Sequence, residues 1–254
     1  MTATLKYEGK GKRLFATDEP GVLIQQFKDD ATAFDGKKHA VIASKGVLNC
    51  AISTFFFEQL AAAGIPNHMI ARCGEDTMRV HELEMYPVEV VVRNIAAGSI
   101  CRRLGLEEGL VLARPLTELF YKSDPLGDPM INSEHAALFG WASEEETTRM
   151  RAMARKVNRC LRALLEPVGI TLVDFKLEFG RLNGAIVLGD EITPDGCRLW
   201  DAATGRKLDK DRFRHDLGGL SEAYAEVARR LEIPLAFSDG GNASPRQQTI
   251  RQGG

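Results

Sequence analysis

Two strand-like segments near residue 180 constrain the fold of this chain more than any other feature. Residues 172–180 alternate without a break, so that Asp174, Lys176 and Glu178 fall on one face of a strand and apolar residues fall on the other. Residues 187–195 form a second acidic segment after a short turn. Carboxylate oxygens are the ligands that Mg²⁺ accepts, so the pair favours metal and phosphate chemistry. The alternative is a solvated strand whose surface ion pairs contribute little.

The turn between these segments decides whether their acids can share a metal ion. A three-residue loop over 182–184, with Gly184 in the left-handed conformation, would place Asp190 on the same face as Glu178. A two-residue turn of Asn183 and Gly184 would place Asp190 on the opposite face. A shared metal site therefore requires the three-residue loop.

Composition excludes several classes of protein. The 254 residues are 44% hydrophobic and 27% charged, which is ordinary for a soluble globular protein of one large domain or two lobes. A net charge of -2 argues against nucleic-acid binding through bulk charge. Five scattered cysteines without a CxxC pair predict reduced thiols in a cytoplasmic protein. The N-terminus lacks the apolar core of a signal peptide, and no apolar run is long enough to span a membrane.

Mixed helix and strand signals predict an α+β fold with a β-rich N-terminal lobe and a more helical second half. A helix with one apolar stripe is predicted over 45–63, and a buried strand over 88–92. Ser99 is predicted to cap a short helix that ends at Gly105.

The second half contains clear helix boundaries. Ser143 and Glu146 form a capping box for a long helix, and another helix is predicted over 220–231. The charge run 209–214 predicts a solvated face, and the spacing of the five histidines fits neither a metal site nor a catalytic triad. Residues beyond Phe237 are polar and Gly-rich, which predicts a disordered tail.

A glycine- and lysine-rich segment near the N-terminus suits phosphate binding. Gly9 and Gly11 let backbone N–H groups approach phosphate oxygens, and Lys10 and Lys12 supply positive charge. The segment is not a P-loop, and the chain contains no GxGxxG. A solvated basic turn is an equally good interpretation of this motif alone.

Two arginines lie beside segments that suit anions. Arg93 follows the buried strand, and small residues lead from it to Ser99, which favours an anion pocket at a helix start. Arg198 lies beside Asp195, just past the acidic hairpin. The alternative for Arg93 is a structural ion pair with a nearby carboxylate.

Taken together, seven segments resemble the SAICAR synthetase family of purine biosynthesis. The resemblance covers roughly residues 7–235. The segments are YEGKGK (7–12), SKGVLN (44–49), PVEVVVRNIAAGS (87–99), DPMIN (128–132), LVDFKLEFG (172–180), GDEITPD (189–195) and CRLWD (197–201). Cys197 stands where the family usually has serine, and the polar tail extends past the family's common end.

The resemblance implies an ATP-dependent ligase that joins L-aspartate to the carboxylate of carboxyaminoimidazole ribonucleotide through an acyl phosphate, releasing ADP and phosphate. It implies a two-lobed α+β fold related to ATP-grasp enzymes, with a nucleotide-binding lobe over 1–85, a substrate and metal lobe over 86–237, and a tail over 238–254. The expected partners are small molecules, with neither nucleic acid nor membrane. A homodimer is the expected assembly if the chain self-associates.

The resemblance also implies roles for individual residues. ATP is expected to contact Gly9, Lys10, Gly11, Lys12, Met85 and Lys122, with Met85 near the adenine and Lys12 nearest the transferred phosphate. The ribonucleotide is expected to contact Arg93, Ser99, Asp195 and Arg198. Arg214 is a weaker candidate, suggested by the charge run 209–214 rather than by the resemblance. Mg²⁺ is expected at Glu178 and Asp190, assisted by Asp174, and the catalytic residues are expected to be Lys176 and Asp174.

Two other functions remain open at this point. A phosphotransferase of related fold would use the same lysine loop and acidic hairpin but would need no second anion pocket. A non-catalytic nucleotide-binding module would keep the glycines and lose the metal carboxylates. Glu178 and Asp190 are both present, which favours the ligase. Removing either acid is predicted to abolish catalysis at little cost in stability, because it would relieve acidic crowding.

Overall fold

The first part of the chain forms an antiparallel sheet with strand order β1-β2-β3-β7-β6 and a small two-stranded sheet of β4 and β5. The computed structural model describes residues 4–33 and 36–237, so the predicted tail lies outside the described residues. The strands are β1 (Leu5–Glu8), β2 (Lys12–Ala16), β3 (Val22–Phe27), β4 (Asp30–Ala33), β5 (Lys38–Val41), β6 (Met69–Arg72) and β7 (Thr77–His81).

The second part forms a larger antiparallel sheet with the order β10-β9-β8-β11-β12, and β13 pairs with the first half of β11. Its strands are β8 (Glu84–Ile95), β9 (Val111–Tyr121), β10 (Met130–Ile131), β11 (Ile170–Leu182), β12 (Ala185–Leu188) and β13 (Cys197–Asp201). The segment before β6 connects the two sheets, because the His68 amide donates to the Leu188 carbonyl at 2.9 Å. The predicted boundary at residue 85 falls at the start of β8 and stays a prediction.

Helices cover the sheets. They are α1 (Lys45–Ala62), α2 (Ser99–Leu104), α3 (Ser133–Leu138), α4 (Glu144–Leu165), α5 (Asp211–Arg214) and α6 (Leu220–Arg230). The predicted capping box at the start of α4 is confirmed, with reciprocal bonds between Ser143 and Glu146. The predicted cap of α2 is wrong: Gly98 is the residue before the helix, and the Ser99 hydroxyl accepts a bond from Arg93 instead.

The main core lies between α1, α4 and the larger sheet. Phe175, Leu177 and Phe179 of β11 are almost wholly buried in it, together with the apolar stripes of α1 and α4. The alternation of β11 therefore holds as predicted, because these residues leave the polar row on the other face. No helix of the described residues is both long enough and apolar enough to cross a membrane.

Of the two turns considered between β11 and β12, the structure has the two-residue turn and not the three-residue loop. Leu182 pairs with Ala185, so the connection is a two-residue turn in which Asn183 and Gly184 both have positive φ, at 51° and 79°. Turns of this kind match the right-handed twist of the flanking strands, which explains why an Asn-Gly pair adopts one here.

Candidate active site

The polar row of β11 meets two groups of charged residues. We define the lysine cluster as Lys12, Lys122 and Lys176 with the acids Glu89, Glu178 and Asp190. We define the arginine cluster as Arg93 and Arg198 with Asp174, Glu118, Asp211 and Ser99. Lys176 and Asp174 are two residues apart on one face of β11, about 7 Å along the strand. The two clusters are therefore neighbours on the same side of the sheet.

Glu178 is the centre of the lysine cluster. Only 3% of it is exposed, and its carboxylate forms ion pairs with Lys122 and with Lys176, the latter at 2.7 Å. Lys176 also donates to Glu89 from the next strand at 2.8 Å. Of the two acids that flank it on its own strand, Lys176 therefore pairs with Glu178 rather than with Asp174.

Burial and charge act in opposite directions on these groups. Burial raises the pKa of Glu178, but the lysines around it hold that pKa well below its usual range. Burial lowers the pKa of Lys176, and Glu178 and Glu89 more than reverse the effect, so its pKa lies above the usual value. Burial is the largest cause of the lowered pKa of Lys12, and the charges of Lys176 and Lys122 lower it further, while Glu191 and Glu178 oppose the change. A phosphate beside Lys12 would oppose that change, because a nearby anion favours the charged form of the lysine.

Asp190 reaches the lysine cluster despite the two-residue turn. The paired part of β12 ends at Leu188, and Asp190 has a φ of 61°, which turns the chain away from the course of the strand. Its carboxylate forms an ion pair with Lys12, and its carbonyl accepts a bond from Gln25 at 3.2 Å. Strand pairing alone would place the Asp190 side chain on the opposite face of the hairpin from Glu178. Because Asp190 is itself in the left-handed conformation, the strand alternation does not extend to it, and its carboxylate reaches Lys12.

The carboxylates present fit a metal ion carried by a nucleotide better than a metal held by protein alone. Within residues 4–33 and 36–237, no group of three or more His, Cys, Asp or Glu side chains is arranged to hold an ion. Mg²⁺ bound with phosphates needs only one or two carboxylates, which Glu178 and Asp190 can supply. Asp174 lies four residues from Glu178, about 13 Å along the strand. At this distance Asp174 cannot share an ion with Glu178, so the structure does not support the predicted role of Asp174 at the Mg²⁺ site.

Arg93 occupies the buried centre of the arginine cluster. Its Nε donates to Glu118 at 2.6 Å, its Nη1 to Asp174 at 2.6 Å and to the Ala97 carbonyl at 3.3 Å, and its Nη2 to Ser99 at 3.0 Å. Four of its five N–H donors are thus directed at protein groups. The structural ion pair considered as an alternative is present, and Arg93 can offer a ligand at most one N–H.

Arg198 has more donors to offer. Its Nε donates to Asp211 at 2.7 Å and its Nη1 to Asp174 at 2.9 Å, while Nη2 lies against Gly98. Gly98 has φ 65° and ψ -125°, a conformation that favours glycine. A methyl group there would lie 2.7 Å from the guanidinium carbon of Arg198. The glycine therefore makes room for this arginine.

Asp195 is held by helices rather than by the arginine cluster. Lys45 of α1 lies 2.5 Å from its carboxylate, and Tyr224 of α6 donates to it at 2.6 Å. Burial raises the pKa of Asp195, but Lys210 and Lys45 hold it well below the usual range. Lys45, Lys210 and Tyr224 were missed from the sequence, because nothing in their local pattern separates them from an ordinary helix or loop residue.

The prediction that residues 209–214 form a solvated face is wrong. Asp209 is fully buried, and its carboxylate accepts bonds from the backbone amides of Leu199 and Asp211 at 2.7 Å each. Asp211 is also buried, and it binds Arg198 and Arg214. The run thus supports Arg198, and an arginine on a largely buried strand was the one available signal that nearby acids were required.

The lysine loop and Met85 lie at the edge of the lysine cluster. The Gly9 amide donates to the Lys12 carbonyl at 2.9 Å, so it is committed within the loop, whereas Gly11 has open space around it. Lys10 pairs with Asp124 at 2.8 Å on the exposed rim. Met85 is 43% exposed, and a methyl group built on Gly189 would lie 3.4 Å from its sulfur.

Known proteins resemble this chain over most of its length. A model of the family described as SAICAR synthetase matches residues 5–231. A phosphoribosylaminoimidazole-succinocarboxamide synthase from Magnetococcus marinus is 55% identical over 233 residues, covering 90% of this chain and 96% of that relative. One from Novosphingobium aromaticivorans is 56% identical over 239 residues, covering 92% of this chain and 91% of the relative.

Solved structures resemble this chain in fold as well as in sequence. The crystal structure of phosphoribosylaminoimidazole-succinocarboxamide synthase from Ehrlichia chaffeensis has a TM-score of 0.89 and 43% identity, covering 91% of this chain and 99% of that one. A SAICAR synthetase solved in complex with ADP has a TM-score of 0.87 and 52% identity, covering 90% and 98%. The chain therefore belongs to the SAICAR synthetase family, and the predicted activity, ATP-dependent ligation of aspartate to carboxyaminoimidazole ribonucleotide in purine biosynthesis, is confirmed at the level of the family.

Proposed function

We propose that this chain performs the ligation through an acyl phosphate, with ATP phosphates at the lysine cluster and the ribonucleotide at the arginine cluster. The observation that carries the proposal is the single polar row of β11. It places Lys176 between Glu178 in one cluster and Asp174 in the other. Lys176 is the cation that can contact both a phosphate held on one side and a carboxylate held on the other.

The reaction needs two displacements. A carboxylate oxygen of the ribonucleotide attacks the γ-phosphorus of ATP, a new P–O bond forms, and ADP leaves with the bridging oxygen. The aspartate nitrogen then attacks the carboxyl carbon, the C–O bond to the phosphate breaks, and inorganic phosphate leaves as the nitrogen loses a proton. The protein's part is to align the groups and neutralise their charge. Lys12 and Lys176 are suited to this, because each lysine can exchange its carboxylate partner for a phosphate oxygen.

Glu178 and Asp190 would hold Mg²⁺ when ATP is bound. When bound, the ion would help to neutralise the charge that develops on the phosphates during transfer. Each acid is paired with a lysine in the structure, so arrival of a cation and a phosphate would exchange partners without leaving a buried charge unpaired.

The adenine would lie beside Met85, and Lys10 and Lys122 would close the rim over the phosphates. Support comes from the exposure of Met85 next to Gly189 and from the contact of Lys122 with Glu178. A nucleotide-bound structure with the base far from Met85 would remove the adenine assignment.

Lys210 and Arg214 are our candidates for the carboxylates of aspartate. Both belong to the segment around α5 that carries Asp211, and Lys210 lies close enough to Asp195 for their charges to interact. Burial lowers the pKa of Lys210, and a bound carboxylate would oppose that change. Self-association as a homodimer and a cytoplasmic location stay predictions.

The presence of both clusters favours the ligase over the two alternatives. A phosphotransferase would need the lysine cluster alone. A nucleotide-binding module would not require Glu178 and Asp190 beside the lysines. Release of ADP that requires both the imidazole carboxylate and aspartate is the assay that separates the three functions.

Lys12→Ala is expected to lower kcat/KM for ATP by about 10²-fold or more, because the lysine in contact with Asp190 would face the transferred phosphate. Steady-state ADP release at varied ATP measures the effect, with circular dichroism to check the fold. Lys6→Ala, which removes an exposed partner of Glu82, is the matched control and should leave ATP use unchanged. Wild-type ATP turnover in folded Lys12→Ala would reject the assignment.

Gly98→Ala is expected to raise the KM for the ribonucleotide by about tenfold, because the added methyl group would displace Arg198 and strain the backbone. The KM for ATP should stay near the wild-type value. Gly105→Ala is the control, since Gly105 also has a positive φ, 65°, at the other end of α2 but has open space around it. An equal rise in both variants would mean that loosening of α2, rather than the position of Arg198, controls binding.

A further inference from the structure

A basic groove lies between α4 and the strand β9, away from both clusters. It encloses about 800 Å³ and is bordered on one side by residues 112–117 of β9. Arginines project from α4 on the other side, at positions 151, 155, 159 and 162. Spacings of four, four and three residues put them on one face of a helix. Arg114 adds a fifth guanidinium from the strand.

The charge of this groove is largely uncompensated. No Asp or Glu lines it, and among the described residues only Arg162 of the five arginines forms an ion pair, with Glu166 at 2.6 Å. Like charges four residues apart on a helix are destabilising. A row of them without acids is therefore an unfavourable arrangement for the free protein, and an anion would relieve it.

Arg151, at the base of the groove, has hydrogen-bond donors that the protein does not fully satisfy. Its Nη1 donates to the Thr117 carbonyl at 3.2 Å, while its buried Nε has no partner among the described residues. Arg155 donates to the Thr117 hydroxyl at 3.4 Å, a long bond that a better acceptor would replace. Burial and the neighbouring charge of Arg155 both lower the pKa of Arg151.

We propose that this groove binds a small molecule that carries two or more phosphate groups. Arginine's planar fork suits phosphate oxygens bidentately, and several forks along one groove match several phosphates in a row. The volume lies within the range of about 300–1,000 Å³ for small-molecule sites. The concave shape and the apolar stretch at Leu112, Pro115 and Leu116 favour such a ligand over a flat acidic protein surface.

The groove is separate from the catalytic centre. Glu118 holds Arg93 on the catalytic face of the sheet, and the preceding residue, Thr117, meets Arg155 on the other face. The side chains of Arg93 and its neighbour Asn94 also lie on opposite faces of the sheet, since Asn94 donates to Asn158 of α4 at 2.8 Å. A ligand in the groove and a nucleotide at the lysine cluster would thus bind opposite faces of one sheet.

Inorganic tripolyphosphate, titrated calorimetrically into the full chain saturated with ADP and the imidazole ribonucleotide, tests the proposal. These two ligands occupy the lysine and arginine clusters, so the expected result is one further tripolyphosphate per chain. The double variant Arg155→Gln and Arg159→Gln should weaken this binding by about tenfold or more, since it removes two of the guanidinium groups that would bind phosphate oxygens. Lys12→Ala should retain it, whether or not the proposed function is correct.

Two further variants keep the result decisive. Arg149→Gln removes an exposed arginine of α4 outside the groove and should leave the affinity unchanged. Arg114→Gln, on β9, should weaken binding without touching the helix. Absence of the further site, equal loss in Arg149→Gln, or loss in Lys12→Ala alone would overturn the proposal. Binding that disappears as chains associate would instead assign the groove to a second copy.

Discussion

Glu178→Gln is expected to lower kcat by about 10³-fold, because it removes the carboxylate proposed to hold Mg²⁺ and the anion that positions Lys176. It is also expected to destabilise the chain. Lys176 would keep Glu89, but Lys122 would lose the carboxylate it contacts. The unfolding free energy should fall by about 1–3 kcal/mol, the lower end reflecting the partial exposure of both lysines.

This expectation differs from the one drawn from the sequence. Removal of Glu178 was expected to relieve crowding among acids, yet the structure surrounds that carboxylate with lysines. Initial rates of ADP release at saturating substrates and urea unfolding of the metal-free chain measure the two effects. Glu84→Gln, an exposed acid of the same sheet paired with Arg181, should change neither by much. Unchanged unfolding in Glu178→Gln would restore the crowding argument.

The sequence predicted the β11 polar row correctly because alternation depends only on the local pleat. Asp174, Lys176 and Glu178 share a face as expected. The partners of that row could not be predicted in the same way. Glu89 and Glu118 lie on strands about 60 to 90 residues away along the chain, and which side chains they meet depends on pairing register.

The errors have physical causes of the same kind. The metal hypothesis requires a three-residue loop at Asn183, whereas an Asn-Gly pair is the strongest signal for the two-residue turn that the structure has. Asp190 still reaches Lys12, because one left-handed residue redirects the chain after the last paired position. The charge run around Asp211 is predicted to be solvated because a dense run of charges favours exposure. The exception arises where a buried arginine requires acids beside it, as Arg198 requires Asp211 here.

Arg93→Lys is expected to raise the KM for the ribonucleotide by about 10²-fold and to lower the unfolding free energy by about 2 kcal/mol. Lysine keeps the charge, but one ammonium group cannot reach Glu118, Asp174 and Ser99 together, as the guanidinium does. Ser99 would lose its donor and Asp174 would depend on Arg198 alone. Most of the effect is thus expected to come from mispositioned groups, since Arg93 has at most one N–H left for a ligand.

Arg103→Lys separates this role from simple support of Glu118. Arg103 binds the other oxygen of Glu118 at 2.6 Å but contacts neither Asp174 nor Ser99 within the described residues. Its replacement should therefore change the KM for the ribonucleotide far less than that of Arg93. Steady-state kinetics with each substrate varied in turn measure both variants. A rise in the KM for aspartate alone in Arg93→Lys would mean that the arginine cluster binds aspartate rather than the ribonucleotide. The order of the two substrates along β11 would then be the reverse of the one proposed.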